Sequence, residues 1–223
     1  MTITRTTTAF IAGAALALIA VPASALVLGQ TDDFEDGTVQ NWIVAPLGAS
    51  HPVPPQNVPD GGPTGDGDNY LQLTAVGGEG AGSKLSVLNL VQWAGDYTSA
   101  GIGGIILDAR NLGTTDLHLR LLLEDPGAGP PLNVAITDAV IVPAQSGWTT
   151  AMFSLDPADL TVLLGDVMTL LSNTTAIRII HNPDPTFPPP AIVAVLGVDN
   201  IEAVASVTPV EPSSWGRLKR SYH

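Results

Sequence analysis

The chain has no cysteine in its 223 residues, which removes a disulfide framework, a thiol nucleophile and a lipid-modified cysteine behind a leader. Bases are scarce too: 8 Lys and Arg stand against 21 Asp and Glu, a net charge of −13. Neutralising phosphates takes clustered Lys and Arg, so nucleic acid and anionic membrane surfaces are disfavoured as partners. There is no Gly-x-Ser-x-Gly elbow, no His-Glu-x-x-His and no phosphate loop. The four histidines, His51, His118, His181 and His223, show no metal-ligand spacing. Only one apolar run stands out, Ala9 to Val21, between Arg5 and the small residues Pro22-Ala23-Ser24-Ala25. At about a dozen residues it falls short of the ~20 needed to span a bilayer, and it has the order of a signal peptide with cleavage after Ala25. Without Arg5 the mature chain carries 21 acids and 7 bases, a net charge of −14. It is expected to be exported, secreted or held at the cell surface, with no membrane insertion.

What the chain does have is turn chemistry. Its 23 Gly and 19 Pro lie between short apolar runs rather than in one tract, the pattern of many strands separated by turns. Candidate strands are Leu26–Gln30, Asn41–Ala45, Tyr70–Val76, Lys84–Val91, Ile105–Asn111, Leu117–Glu124, Asn133–Val142, Thr149–Leu155, Ala176–His181 and Val193–Val204. In Leu117-His118-Leu119-Arg120-Leu121 the leucines face one way and the polar residues the other, as a half-buried strand requires. The number and spacing of the strands fit an all-β fold of two packed sheets. One helix is expected, capped by Asp156 with Pro157 at its first position and an apolar stripe through Leu160, Leu163, Leu164, Val167, Leu170 and Leu171. The stretches 45–68 and 183–190, the latter with five prolines around Phe187, are expected as loops able to shape a site. The domain is expected over residues 26–205, followed by an exposed tail, 206–223, that gathers Trp215, Arg217, Lys219 and Arg220.

Two acidic clusters stand at opposite ends of the domain: Asp32-Asp33-Phe34-Glu35-Asp36-Gly37, and Asp199 within Gly197-Val198-Asp199-Asn200-Ile201. In a β-sandwich the first and last strands commonly lie side by side, so these clusters can meet and share one hard cation. Ca²⁺ takes six to eight oxygens from carboxylates, carbonyls and water, and Asp33, Glu35 and Asp199 suit that need, with Asp32 and Asp36 in reserve. The turn Asp66-Gly67-Asp68-Asn69 is a weaker second candidate, because turn chemistry alone explains it.

The segments "DDFEDGTVQNW", "GDNYLQL", "GDYTSAGIGGIILDARNLGTTDLHLRLLLED", "SGWTTAMFSL" and "LGVDNIEAV", in that order, resemble the jelly-roll carbohydrate-binding modules and related sandwich domains of bacterial secreted proteins. The likeness runs from about Gln30 to Val204. It implies a galactose-binding-like jelly roll with a structural calcium at the junction of first and last strands. The tail's "EPSSWG" resembles a PEP-CTERM sorting signal, but the hydrophobic span that anchors such proteins is missing. Modules of this kind stack sugar faces on aromatic rings, and with 5% aromatics the choice is narrow. Trp42 and Trp148 sit where the resemblance places core or rim residues. Trp93 and Tyr97, on the polar turn Gln92-Trp93-Ala94-Gly95-Asp96-Tyr97, are the ligand candidates.

The expectation is therefore an exported, non-catalytic β-sandwich with one structural Ca²⁺ that binds a polysaccharide or glycan. The sparse aromatics keep open a surface or matrix structural protein without sugar affinity. Glu35, Glu79, Glu124, Asp96 and Asp108 keep open a small glycoside hydrolase or lyase, which needs two facing carboxylates.

Overall fold

A computed structural model describes residues 26–44, 53–78, 80, 83–126 and 130–205. The leader 1–25, the tail 206–223 and Glu79 lie outside the described residues. Twelve strands and one helix follow in chain order: β1 (Thr31–Asp32), β2 (Gln56–Val58), β3 (Tyr70–Val76), β4 (Ser86–Asn89), β5 (Gly104–Asn111), β6 (Leu117–Asp125), β7 (Asn133–Ile136), β8 (Val140–Val142), β9 (Thr149–Ser154), β10 (Thr161–Leu164), α1 (Val167–Ser172), β11 (Ala176–His181) and β12 (Val193–Val204). They form two antiparallel sheets packed face to face. The first has the order β2-β3-β12-β5-β9 with β1 also on β12; the second has the order β10-β7-β6-β11-β4 with β8 also on β6.

Alternation decides which side of each strand faces in. Along β6, Leu117, Leu119, Leu121 and Leu123 enter the main core with Ile177 and Ile179 of β11. From the first sheet, Leu71, Leu73, Ile105, Leu107, Phe153, Leu196 and Val198 meet them. A second, smaller apolar cluster, Leu122, Val134, Ile136 and Ile180, lies on the outward face of the second sheet.

The first and last strands do lie side by side: Thr31 pairs with Glu202 and Asp32 with Ile201. β12 is long enough to take β3 and then β1 on one edge while β5 follows the other. Between Asp199 and Glu202 its pairing with β5 slips, and Asn200 takes φ 49°. This bulge lets Asp199 keep an outward position while Ile201 and Ala203 return to the core.

Several elements differ from the expectation. Residues 161–164 pair with β7 instead of joining the helix, which starts after Gly165 at φ 70° with Asp166 as its cap, the carboxylate accepting from the Thr169 amide. Asp156 instead closes a local turn, its Oδ1 accepting from the Ala158 amide. The apolar stripe was shared between an edge strand and a short helix, which periodicity alone cannot separate. Leu26–Gln30 is a turn before β1, the described residues Asn41–Val44 contribute the bridge of Ile43 to Leu88, and Asn133–Val142 divides into β7 and β8. Gln56–Val58, expected as loop, adds an edge strand.

Candidate functional site

Asp199 organises an acidic site on the outward face of the first sheet. Its ladder partner across β5 is Asp108, and the charges acting on it come from Asp68, Asp108 and Glu35. The site is closed by turns between residues 34 and 69. The Asn69 amide donates to Glu35 Oε1 at 2.8 Å, the Thr64 amide donates to Asp68 Oδ2 at 2.6 Å, and the Asn57 side chain donates to the carbonyls of Phe34 and Thr38. On the open side Asp108 accepts from Thr150 Oγ1 at 2.8 Å and from Asn200 Nδ2 at 3.1 Å. Asp199 itself is only 1% exposed; Oδ1 accepts from the Asn200 amide, and buried Oδ2 has no partner. Burial, and behind it the three facing carboxylates, pushes the Asp199 carboxyl up to about 7.

Of the residues expected to hold a metal, Glu35 and Asp199 stand in this acidic site and Asp33 stands outside it. Asp33 is exposed, its Oδ1 closes the turn onto the Glu35 amide, and it is absent from the charges that act on Asp199. Asp68, from the turn that looked like a weaker second site, and Asp108 take its place. The reserves are engaged elsewhere. Asp36 binds the Thr38 amide and hydroxyl, and Asp32 is buried beneath two indoles. No three His, Asp or Glu side chains among the described residues stand as a ready-made metal cage. The orphaned Oδ2 nonetheless fits a cation: a hard ion supplies the positive partner that this buried carboxylate lacks, with carbonyls and water completing the shell.

The expected ligand aromatics are corrected outright. Trp93 and Tyr97 are fully buried members of the main core. Trp93 Nε1 donates to Asp32 Oδ2 at 2.7 Å, where Trp42 Nε1 also arrives at 2.8 Å and Gln92 Nε2 at 3.0 Å. The Tyr97 hydroxyl donates to the Trp93 carbonyl, and burial pushes its pKa well above the phenol range. The turn is polar, but Gly95 lets the chain pass so close to Leu26 that an added Cβ would meet the Leu26 Cβ at 2.7 Å. That approach turns both rings inward, leaving no face for a sugar. Trp42 is core, whereas Trp148 is half-buried on the outward face of the first sheet.

The exposed ring is one that residue-type reasoning passed over. Phe187, in the proline-rich loop after β11, is 42% exposed, the one exposed aromatic among the described residues. The Arg178 guanidinium lies over it at 5.5 Å from the ring centroid and donates through Nη2 to Glu124 Oε2 at 2.9 Å. Arg120 fixes the root of the loop, with Nε on the Asn182 carbonyl, Nη2 on the Pro183 carbonyl and Nη1 on the Thr137 carbonyl. Arg178 pairs with Leu122 and Ile180 with Arg120 across the β6–β11 ladder. The result is an exposed ring on the outward face of the second sheet, standing against a largely buried cation and carboxylate.

Against known folds, this topology matches a family 11 carbohydrate-binding module from Clostridium thermocellum, solved in complex with a β-1,3-1,4-mixed-linked tetrasaccharide. The TM-score is 0.54 at 16% identity, over 83% of this chain and 100% of that one. The fold is the jelly roll of carbohydrate-binding modules. The family 11 module of the cellulosomal cellulase Lic26A-Cel5E of the same organism aligns with TM-score 0.53 at 16% identity, over 84% of this chain and 100% of the module. An exo-β-agarase aligns with TM-score 0.53 at 14% identity, over 83% of this chain but 25% of the enzyme. No protein-family model and no curated protein matches the sequence.

Proposed function

We propose that the protein is an exported, non-catalytic module that binds a polysaccharide or glycan on the outward face of its second sheet, with a structural calcium at Asp199. The observation that carries the binding face is Phe187: a ring 42% exposed, held by a rigid proline-rich loop and backed by the Arg178–Glu124 pair. An apolar C–H-rich sugar face gains by covering such a ring, and the neighbouring guanidinium and carboxylate offer a donor and an acceptor to its hydroxyls. The similarity to a module solved with a bound tetrasaccharide supports the ligand class. Asp199, Glu35, Asp68 and Asp108 would hold the ion, and its role is to neutralise charge and tie β12 and β5 to the 34–41 and 60–69 turns.

The test is a glycan array probed with the mature protein and with Phe187→Ala. Signals on neutral β-glycans that fall at least tenfold in the variant, with the melting temperature unchanged, support the assignment. The rival reading, a surface or matrix structural protein without sugar affinity, is favoured by the burial of Trp93 and Tyr97. An array without signal for the wild type decides for it.

A further inference from the structure

We infer that the outward face of the first sheet, centred on Gly197, is a second binding site whose ligand is an anionic saccharide, a sugar bearing a carboxylate or a sulfate. The register lays out one continuous row across four strands: Gln56 of β2 opposite Gln72 of β3, Gln72 opposite Gly197 of β12, and Gly197 opposite Arg110 of β5. The chain neighbours Leu71, Leu73, Ala109, Leu196 and Val198 all enter the main core, so Gln72, Gly197 and Arg110 face out. At one strand spacing per step the row is roughly 14 Å long, more than a single sugar ring.

At its centre the row has no side chain, and an aromatic pair fills the gap. A Cβ added at Gly197 would stand 2.9 Å from Trp148 Cη2 and 3.3 Å from Tyr70 Cδ2 and Cε2, so only glycine lets both rings close on the sheet. Trp148 is held from two sides: its ring meets Tyr70 edge-on at 5.3 Å between centroids and 77° between planes, and its Nε1 donates to the Gly61 carbonyl at 2.9 Å. The indole stays partly exposed with its only donor satisfied. What remains for a ligand is its hydrocarbon surface.

Stapling the 60–69 loop would account for Trp148 and for Gly197. It does not account for Arg110. This half-buried guanidinium makes no hydrogen bond, ion pair or ring contact with any described residue, and its Nε is buried without an acceptor. Asp108, two residues along β5 on the same face, and Asp199, two residues beyond Gly197 on β12, make no hydrogen bond or ion pair with this guanidinium, so neither acid occupies it. A buried N–H left unpaired costs free energy that an incoming acceptor recovers, and a guanidinium fork prefers a planar or tetrahedral oxyanion. Arg110 thus selects the anionic group, Trp148 takes the ring face, and Gln72 and Gln56 are placed to meet hydroxyls along the row.

The experiment measures affinity of the full mature chain for three probes in one buffer: oligogalacturonate, dextran sulfate, and methyl-esterified oligogalacturonate, which keeps the sugar backbone without its charge. The first two distinguish carboxylate from sulfate. Binding of at least one anionic probe is expected, with at least tenfold weaker binding of the ester. Arg110→Gln should lose tenfold or more while its melting temperature stays put, and Arg110→Lys should lie between. Phe187→Ala, on the opposite sheet, should bind the anionic probe like wild type, so failure here is separable from failure at Phe187. The inference is overturned if neither anionic probe binds, if the ester binds as well as the acid, if Arg110→Gln keeps wild-type affinity, or if Phe187→Ala abolishes anionic binding.

Discussion

Asp199→Asn in the presence and absence of calcium is the sharpest perturbation of the acidic site. In the folded protein the Asp199 carboxyl titrates at about 7, against 3.8 for an ordinary aspartate. The folded state therefore holds its proton more tightly than the unfolded chain. Stability from this group is fully present below pH 3.8 and is lost as pH rises towards 7. A difference of about three pKa units amounts to about 4 kcal/mol across that window. Asparagine removes the charge, its Oδ1 keeps the bond from the Asn200 amide, and its Nδ2 faces carboxylates instead of repelling them. In chelator at pH 8 the variant should thus exceed wild type by up to about 4 kcal/mol, and at pH 4 the two should nearly coincide. Calcium at a hundred times its dissociation constant should return about 2.7 kcal/mol to wild type and nothing to the variant. Urea unfolding with and without chelator, as the wild-type minus variant difference against pH, isolates Asp199 from the other titrating groups. A difference that is flat from pH 4 to 8, together with no response of wild type to calcium, refutes the reasoning.

Further predictions concern the buried polar groups. Asp32→Ala strands the indole N–H of Trp42 and Trp93 and removes one of the two acceptors of Gln92 Nε2, and should cost about 3–5 kcal/mol by chemical denaturation. Trp93→Ala should cost a similar ~3–5 kcal/mol, and Tyr97→Phe about 1–2 kcal/mol for its lost bond to the Trp93 carbonyl, with glycan affinity unchanged in the second case. His181 is buried beside His118, its Nδ1 accepts from the His118 amide, and both burial and His118 hold its pKa below 6.5. The unfolded chain therefore takes up this proton first, and stability should fall as pH drops below 6.5. His181→Asn, which keeps an acceptor without a titrating group, should flatten that acid limb in a melting-temperature series.

Much of the architecture was legible in residue pattern. The alternation along β6 and the turn residues around β3, β5, β9 and β11 marked strands because one face of each is buried, and that is what period-two patterning records. The pairing of β1 with β12 followed from sandwich topology. The acidic site was legible only in part. Glu35 and Asp199 were found, but Asp108 reaches the site through strand register across 91 residues, and Asp68 through a loop held by the Glu35–Asn69 contact. Neither leaves a local signal. Trp93 and Tyr97 were misplaced because the polarity of a turn was read as exposure, whereas the indole follows a buried carboxylate 61 residues away. Phe187 was passed over because prolines mark a loop without saying which of its side chains stands free. The bulge at Asn200, which aims Asp199 outward, has no sequence signature of its own.

Glycan binding at Phe187 is tested most directly by a two-dimensional NMR titration of the mature protein with the strongest neutral ligand from the array. The largest amide shifts should fall on Asp184, Thr186, Phe187, Arg178 and Glu124, the residues of this face that carry an N–H beside the prolines, and Phe187→Ala should abolish them. Shifts concentrated elsewhere on the sandwich, or none at millimolar ligand, would contradict it.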